Sequence, residues 1–235
     1  SVLKKFSQYL KKNSQLILNA NKKDINKAKI KKIKNSMIDR LKLNNKKITQ
    51  MRNAIEEIIK FKDPVGKILS SWTRPNGLII KRVSIPMGVI GIIYESRPNV
   101  TSDVSALCFK TGNVVILRGG SEAFYSNKIL VQLFKRALKK KKCNENCVQF
   151  IDKKSKKNVS YLLSKMPKYI DVIIPRGGES LVKIVKAKAK VPVIGHLAGI
   201  CHVFVHKNAN LKMAIKIIEN AKMRNVSICG ATETL

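Results

Sequence analysis

One uninterrupted apolar segment, residues 89–93, constrains the fold of this chain more than any other feature. A segment of this length without polar alternation is typical of a strand that is buried on both faces of a parallel sheet. Further short strands, rich in apolar residues, are predicted at residues 114–117, 148–151 and 170–174, and helical patterns separate them. Because parallel neighbours need a crossover connection, this alternation predicts an α/β fold with three layers, a parallel sheet with helices on both faces.

The first sixty residues have the spacing of amphipathic helices, and Asn44 is a suitable N-cap within them. The apolar residues at this spacing are Leu3, Phe6, Leu10, Leu16, Ile17, Ala20, Ile48, Met51, Ile55, Ile58 and Ile59. Residues 63–77 carry prolines and glycines at both ends and are predicted to form a loop. Beyond the sheet, the pattern predicts short strands at residues 191–194 and 201–205 and a helix over residues 211–222.

The chain has 48 Lys and Arg against 14 Asp and Glu, a formal net charge of +34 at pH 7. This charge suits a polyanion partner, so a basic nucleic-acid-binding protein is one alternative. However, the cations are mostly Lys, they are spread over several helices, and they lack the interleaved aromatic residues that stack on bases. We therefore expect no specific nucleic-acid function.

The sequence contains no apolar run of about 18 residues, so no membrane span is predicted. It shows no secretory leader pattern, and its five cysteines favour reduced thiols in the cytoplasm over a disulfide framework. Cys143 and Cys147 have no second pair of ligands nearby, so we expect no metal site.

Two of the predicted strands are followed by the same tripeptide, since residues 118–120 and 176–178 both read Arg-Gly-Gly before a helical pattern. Ligands of parallel sheets bind beyond the carboxyl ends of the strands, where glycine lets backbone N–H groups approach a phosphate and arginine adds charge. A tight strand-to-helix connection is the alternative, and the GxGxxG fingerprint is absent. The candidate residues are Arg118, Gly119, Gly120, Ser121, Arg176, Gly177 and Gly178.

The segment after residues 89–93 places Arg97 and Asn99 in the same crevice, with Thr101 or Ser102 as the expected cap of the next helix. Cys229 follows the last complete helix, and residues 230–235 are expected to begin another one. A thiolate at a helix N-terminus is stabilised, as a covalent nucleophile requires. A packed structural cysteine is the alternative.

Several segments together resemble the γ-glutamyl phosphate reductase (glutamate-5-semialdehyde dehydrogenase) family of the aldehyde dehydrogenase superfamily. They are residues 86–101, 110–122, 173–178, 191–194, 199–203 and 220–235. The resemblance implies N-terminal helices and an aldehyde dehydrogenase-like NADP-binding domain over residues 1–195. It implies the start of a truncated catalytic domain over residues 196–235.

The implied reaction is NADPH-dependent reduction of L-glutamyl 5-phosphate to L-glutamate 5-semialdehyde and phosphate, an oxidoreductase step of proline biosynthesis. By resemblance, Cys229 is the catalytic nucleophile that forms a thioacyl intermediate, and Asn99 stabilises the oxyanion. Arg118 with Ser121 matches the position beside the adenosine ribose and favours NADP over NAD. The other residues of the two Arg-Gly-Gly turns complete the predicted cofactor site.

Arg97 and His196 are the expected substrate-binding residues. His196 stands where hydrolytic superfamily members carry a general-base Glu, and a reductase has no water to activate; a structural histidine is the alternative. The resemblance further implies glutamate 5-kinase as a partner and a homo-oligomer at full length. Because it stops soon after Cys229, we expect a fragment, and a non-catalytic dinucleotide-binding remnant or an acyl-CoA reductase are further alternatives.

Overall fold

The computed structural model describes residues 1–152, 155–195, 199–224, 226 and 230–235. The chain divides into two compact units, Ser1–Ile194 and Gly195–Leu235. No helix in the described part of the chain has the length and apolar character needed to cross a membrane.

Strands and helices alternate over residues 89–188 of the first unit, as the apolar pattern predicts. The helices are α1 (Val2–Lys12), α2 (Ser14–Ile30), α3 (Asn35–Leu41), α4 (Asn45–Lys60), α5 (Pro98–Lys110), α6 (Phe124–Lys140), α7 (Lys156–Ser164), α8 (Glu179–Lys188) and α9 (Leu211–Met223). The strands are β1 (Ile68–Thr73), β2 (Ile79–Val83), β3 (Val89–Tyr94), β4 (Val114–Gly119), β5 (Val148–Phe150), β6 (Val172–Arg176), β7 (Cys201–His202) and β8 (Thr232–Thr234).

The central sheet has the strand order β5-β4-β3-β6, and every neighbouring pair in it is parallel. Tyr94, the last residue of β3, is paired with Gly119 on one side and Arg176 on the other. This register brings the two Arg-Gly-Gly turns to the same edge of the sheet. The direction of strand progression reverses between β3 and β6, which is the place where open α/β sheets bind ligands.

Helices cover both faces of this sheet, so the predicted three-layer α/β architecture is confirmed. Ile90, Ile92 and Tyr94 of β3 pack in one core with residues of α5 and α6 and of the N-terminal helices. Ile93 belongs to the opposite core, whose buried side chains include Leu162 of α7 and others from α8. The alternation of β3 side chains between two cores explains why its sequence is apolar without a break.

The N-terminal helices pack against α5 and α6 through the predicted apolar faces. The ring of Phe6 meets that of Phe134 edge to face, with 4.7 Å between centroids, and Asn44 caps α4 by accepting a hydrogen bond from the Lys47 N–H at 2.8 Å. The predicted inward position of Leu16 is wrong, because its side chain is 46% exposed whereas Ile17 is buried. The chain leaves the helical conformation at Asn13, so α2 begins with a rotated apolar face.

The predicted loop at residues 63–77 is partly wrong, because it contains β1. This strand pairs antiparallel with β2, with Trp72 opposite Ile80. The prolines and glycines lie outside β1, and the hairpin turns at Gly77, which has a φ of +84° that favours glycine. The intervening residues include β-branched and aromatic side chains, which suit a strand.

The second unit holds α9 and a short parallel pair of strands, β7 and β8. The predicted helix at residues 230–235 is wrong, because Thr232 pairs with Cys201 across this small sheet. Of the strand predicted at residues 191–194, only a single bridge from Val193 to Ile173 is present. The strand predicted at 201–205 is limited to its first two residues.

Candidate active site

A cavity of about 410 Å³ lies beyond the carboxyl ends of β3 and β4; we call it the sheet-edge cavity. Its apolar walls come from α7 and α8, and its floor comes from the ends of the two strands. The apolar side chains are Met37, Ile93, Val159, Leu163, Leu181 and Ile184, and the charged ones are Glu95, Arg118, Glu122 and Lys188. Gly120 and Ser121 also line it, so part of the predicted cofactor site is gathered here.

Arg118 is half-buried in β4, and its guanidinium donates to the carbonyl oxygen of Gly119. The Nε–H of Arg118 is buried and has no hydrogen-bond partner in the described part of the chain. Burial lowers the pKa of Arg118, while the neighbouring carboxylate of Glu122 acts in the opposite direction. Arginine stays charged in proteins, so the cavity holds a cation with an unused donor.

Two carboxylates connect the polypeptide segments at this edge of the sheet. Oε1 of Glu122 accepts hydrogen bonds from the N–H of Ser96 at 2.7 Å and from its Oγ at 2.9 Å. Ser96 is buried with a φ of +32°, an uncommon conformation for a residue other than glycine. The second carboxylate, Glu95, accepts from the N–H of Gly178 at 2.9 Å.

The glycines of the two turns make room for side chains of the chain itself. A Cβ at Gly119 would lie 2.1 Å from Nδ2 of Asn127, and one at Gly120 would lie 2.0 Å from Oε1 of Glu122. At Gly177 a Cβ would lie 2.6 Å from Oε2 of Glu95. At the second turn a carboxylate therefore stands where the sequence predicts a phosphate, and Arg176 is exposed beside it.

Asn99 lies in a different cavity, of about 350 Å³, lined by residues of α3, α4 and α5; we call it the helix cavity. Asn99 is in the first turn of α5, and its amide Nδ2 donates to Oδ2 of Asp103 at 3.1 Å. In the described part of the chain, Asn99 and Arg118 therefore line separate cavities rather than one shared crevice.

The predicted caps of α5 are wrong, because Thr101 and Ser102 lie inside the helix. The half-buried Arg97 occupies the N-cap position, and Pro98 is the first helical residue. Proline is favoured there because its fixed φ suits a helix and its missing N–H would have no partner in that turn.

A buried polar network that the sequence does not predict lies behind the sheet-edge cavity. The hydroxyl of Tyr94 lies 2.7 Å from Oγ1 of Thr101, which donates to Oδ1 of Asn127 at 2.9 Å. Burial raises the pKa of Tyr94, so the phenol stays protonated. The network joins β3, α5 and α6, and local sequence gives no signal for contacts between residues so far apart.

Two predicted site residues, Cys229 and His196, lie outside the described residues.

Comparison with known proteins identifies the family. A family model described as "Aldehyde dehydrogenase family" matches residues 1–234. The chain belongs to the aldehyde dehydrogenase family. This fold implies a nicotinamide cofactor.

Several similar proteins are gamma-glutamyl phosphate reductases. A gamma-glutamyl phosphate reductase from Hydrogenobaculum sp. is 49% identical over 236 residues, covering 100% of this chain and 53% of the relative. One from Nautilia profundicola is 46% identical over 234 residues, which cover 100% of this chain and 57% of the relative. The crystal structure of gamma-glutamyl phosphate reductase from Thermotoga maritima superposes with a TM-score of 0.92 at 43% sequence identity. The match covers 99% of this chain and 56% of that protein. The chain spans about half the length of these relatives.

Proposed function

We propose that this chain takes part in the NADPH-dependent reduction of L-glutamyl 5-phosphate to L-glutamate 5-semialdehyde and phosphate, with Cys229 as the nucleophile. The observation that carries the proposal is 43–49% identity along the whole chain to proteins named gamma-glutamyl phosphate reductase. The sheet-edge cavity supports it, because such an α/β sheet binds dinucleotides at this edge.

In the proposed reaction the Cys229 thiolate attacks the acyl carbon of the substrate. The bond from this carbon to the phosphate oxygen breaks, and phosphate leaves with the electron pair. NADPH, when bound, supplies the hydride that reduces the resulting thioester. The carbon–sulfur bond then breaks, which releases the aldehyde and restores the thiolate. Asn99 is the proposed amide donor to the oxyanion that develops on the carbonyl oxygen.

The lining of the sheet-edge cavity fits the adenosine end of this cofactor. Apolar side chains of α7 and α8 provide walls for a flat base, and the unused Nε–H of Arg118 suits a phosphate oxygen. This phosphate would be the 2′-phosphate on the adenosine ribose of NADPH, and Ser121 would add a hydroxyl donor to it. A pyrophosphate at the second Arg-Gly-Gly turn would displace the Glu95 carboxylate from the N–H of Gly178.

Further parts of the proposal follow from the same reaction. We infer that residues 1–195 form the N-terminal helices and the NADP-binding domain, and that residues 196–235 begin the catalytic domain. An acyl phosphate hydrolyses readily in water, so a kinase that makes it is the expected partner, namely glutamate 5-kinase. A cytoplasmic homo-oligomer is the proposed assembly, with Arg97 and His196 near the substrate.

The experiment is an assay of the reverse reaction, in which NADP⁺ is reduced in the presence of glutamate 5-semialdehyde and phosphate. The chain and a Cys143→Ala control should show phosphate-dependent NADPH formation, whereas Cys229→Ala should show none. NADPH binding is measured on the same samples. If Cys229→Ala matches the unaltered chain, the catalytic proposal is wrong, and retained NADPH binding would then favour a dinucleotide-binding chain without this activity.

A further inference from the structure

The helix cavity combines charged, amide and apolar groups in a space suited to a small molecule. At about 350 Å³ it falls within the range of small-ligand sites. Arg40 and Asp103 supply opposite charges, Gln50 and Asn99 supply amides, and Met51 and Ala54 supply apolar surface. These groups come from three helices, α3, α4 and α5.

Asp103 is the unusual member of this set. Its carboxylate is partly buried and accepts hydrogen bonds from the Asn99 amide at 3.1 Å and the Ser102 hydroxyl at 3.3 Å. Although the chain has 48 Lys and Arg, none of those in the described ranges forms an ion pair with Asp103. A partly buried carboxylate without a cation is unfavourable, and the ammonium group of a ligand would compensate it.

Arg40 is the cation of the cavity that is available to a ligand. Within the described part of the chain its guanidinium has no ion pair and no side-chain hydrogen bond, and its side chain is exposed. The other cation on the wall, Lys47, already donates to the carbonyl oxygens of Lys42 at 2.6 Å and Asp39 at 3.3 Å. A guanidinium binds a carboxylate in a fork geometry, which a committed ammonium cannot match.

We infer that the helix cavity binds the amino-acid head group of the substrate, with Asp103 pairing with the α-ammonium and Arg40 with the α-carboxylate. The inference rests on the proposed function, which supplies an α-amino acid as substrate. Met51 and Ala54 contact its methylene groups. Asp103 and Asn99 are one helical turn apart, so the specificity residue is adjacent to the proposed oxyanion donor.

The test compares two stable ligands that differ only in the α-ammonium group, L-glutamate and glutarate. Both are titrated into the 235-residue chain by isothermal titration calorimetry. L-Glutamate should bind at least about tenfold more tightly, since glutarate has no ammonium group to donate a charge-assisted hydrogen bond to Asp103. Equal affinities, or no binding of L-glutamate, would overturn the inference without any variant.

Variants then assign the two charges. Asp103→Asn keeps an acceptor for Asn99 and should remove the preference for L-glutamate over glutarate, while Arg40→Gln should weaken both ligands by about tenfold. Asp39→Asn and Arg52→Gln carry the same changes outside the cavity lining and should leave both affinities unchanged. A preference that survives in Asp103→Asn contradicts the assignment.

The two experiments test the head-group site and the proposed reaction independently of each other. If the chain discriminates the two ligands but Cys229→Ala does not alter the phosphate-dependent assay, the head-group site stands and the proposed reaction is wrong. If the assay depends on Cys229 and the ligands bind equally, the reaction stands and the head-group site is wrong.

Discussion

Arg118 lines the sheet-edge cavity, and no described residue accepts a hydrogen bond from its buried Nε–H. A buried donor without a partner costs roughly 1–3 kcal/mol, so a phosphate that accepts from it binds favourably. Arg118→Gln should therefore weaken NADPH binding by about tenfold or more and NADH binding much less, because NADH lacks the 2′-phosphate. Fluorescence titrations of both dinucleotides measure this difference.

The control for this prediction is Arg136→Gln, since Arg136 is an exposed arginine of α6 outside the cavity lining. It should leave both affinities unchanged. An equal loss for NADPH and NADH in Arg118→Gln would contradict the role in 2′-phosphate recognition and would point to a change of local structure.

Asp103 should destabilise the ligand-free chain at neutral pH. Burial raises the pKa of Asp103, and hydrogen bonds from Asn99 and Ser102 only partly oppose the shift. A carboxyl group whose pKa is higher in the folded chain binds more protons when folded, so its contribution to stability is lost as pH rises from the unfolded pKa of about 3.9 through the folded pKa. Asp103→Asn should therefore raise the melting temperature at pH 7, and the gain should shrink toward about pH 3.

Asp39→Asn provides the matched control for thermal unfolding followed by circular dichroism. A hydrogen bond and charge from Lys42 lower the pKa of Asp39, so this carboxylate stabilises the fold above its unfolded pKa and its substitution should not raise the melting temperature. A lower melting temperature of Asp103→Asn at pH 7 would contradict the argument. A carboxylate at position 103 that lowers the stability of the ligand-free chain is expected if Asp103 serves ligand binding.

At the scale of elements, one buried carboxylate connects α2 to the start of α6. Asp24 of α2 accepts hydrogen bonds from the N–H groups of Tyr125 at 3.0 Å and Ser126 at 2.7 Å, and from the Ser126 hydroxyl at 2.7 Å. These N–H groups have no partner within α6, so Asp24 acts as a cap supplied by another helix.

Asp24→Ala should lower the free energy of unfolding by about 3 kcal/mol, because it leaves several buried donors unsatisfied. Asp24→Asn should cost less, since its amide oxygen still accepts. Urea denaturation measures both, and the exposed Asp39→Ala serves as the control, which should stay close to the unaltered chain because a surface ion pair contributes little. A small effect of Asp24→Ala would show that water or a neighbouring group replaces the cap.

The sequence predicts well those helices and strands that are buried along several turns or several strand residues, because burial sets their apolar pattern. Residues 89–93 had to lie inside a parallel sheet, because few other environments bury a whole apolar segment. The sequence does not predict β1, because the prolines and glycines on either side of it are typical of a loop, whereas in the structure they flank the strand. Residues 230–235 were assigned to a helix because their pairing with Cys201 is not visible in local sequence.

The candidate site was predicted in part for the same reason. Arg118, Gly120 and Ser121 were found because a strand end in a parallel sheet is a ligand position wherever it occurs. The sequence does not predict the helix cavity, because Arg40 and Asp103 are far apart along the chain. They line one cavity only through the packing of α3, α4 and α5. Neither residue belongs to a motif with its own chemistry, so only tertiary structure reveals the pair of charges.

At the scale of the whole molecule, positive charge is in large excess, because 48 Lys and Arg stand against 14 Asp and Glu. The described residues form ion pairs through only a few Lys and Arg, all with partly exposed partners, whereas the chain carries 48 of these cations. Such a surface attracts any polyanion by releasing counterions, without reading its sequence.

This charge predicts duplex DNA binding that is present at low salt and absent at physiological salt. Each phosphate contact contributes a slope of about −0.9 to the dependence of log affinity on log salt, so several contacts remove the affinity over a threefold to fourfold rise in salt. Fluorescence anisotropy with two unrelated duplexes, at about 50 and 200 mM NaCl, measures both salt dependence and sequence preference. Tight binding of one duplex that persists at the higher salt would contradict a counterion effect. It would instead support the basic nucleic-acid-binding alternative, because only base contacts or shape recognition keep affinity when the phosphate term is screened.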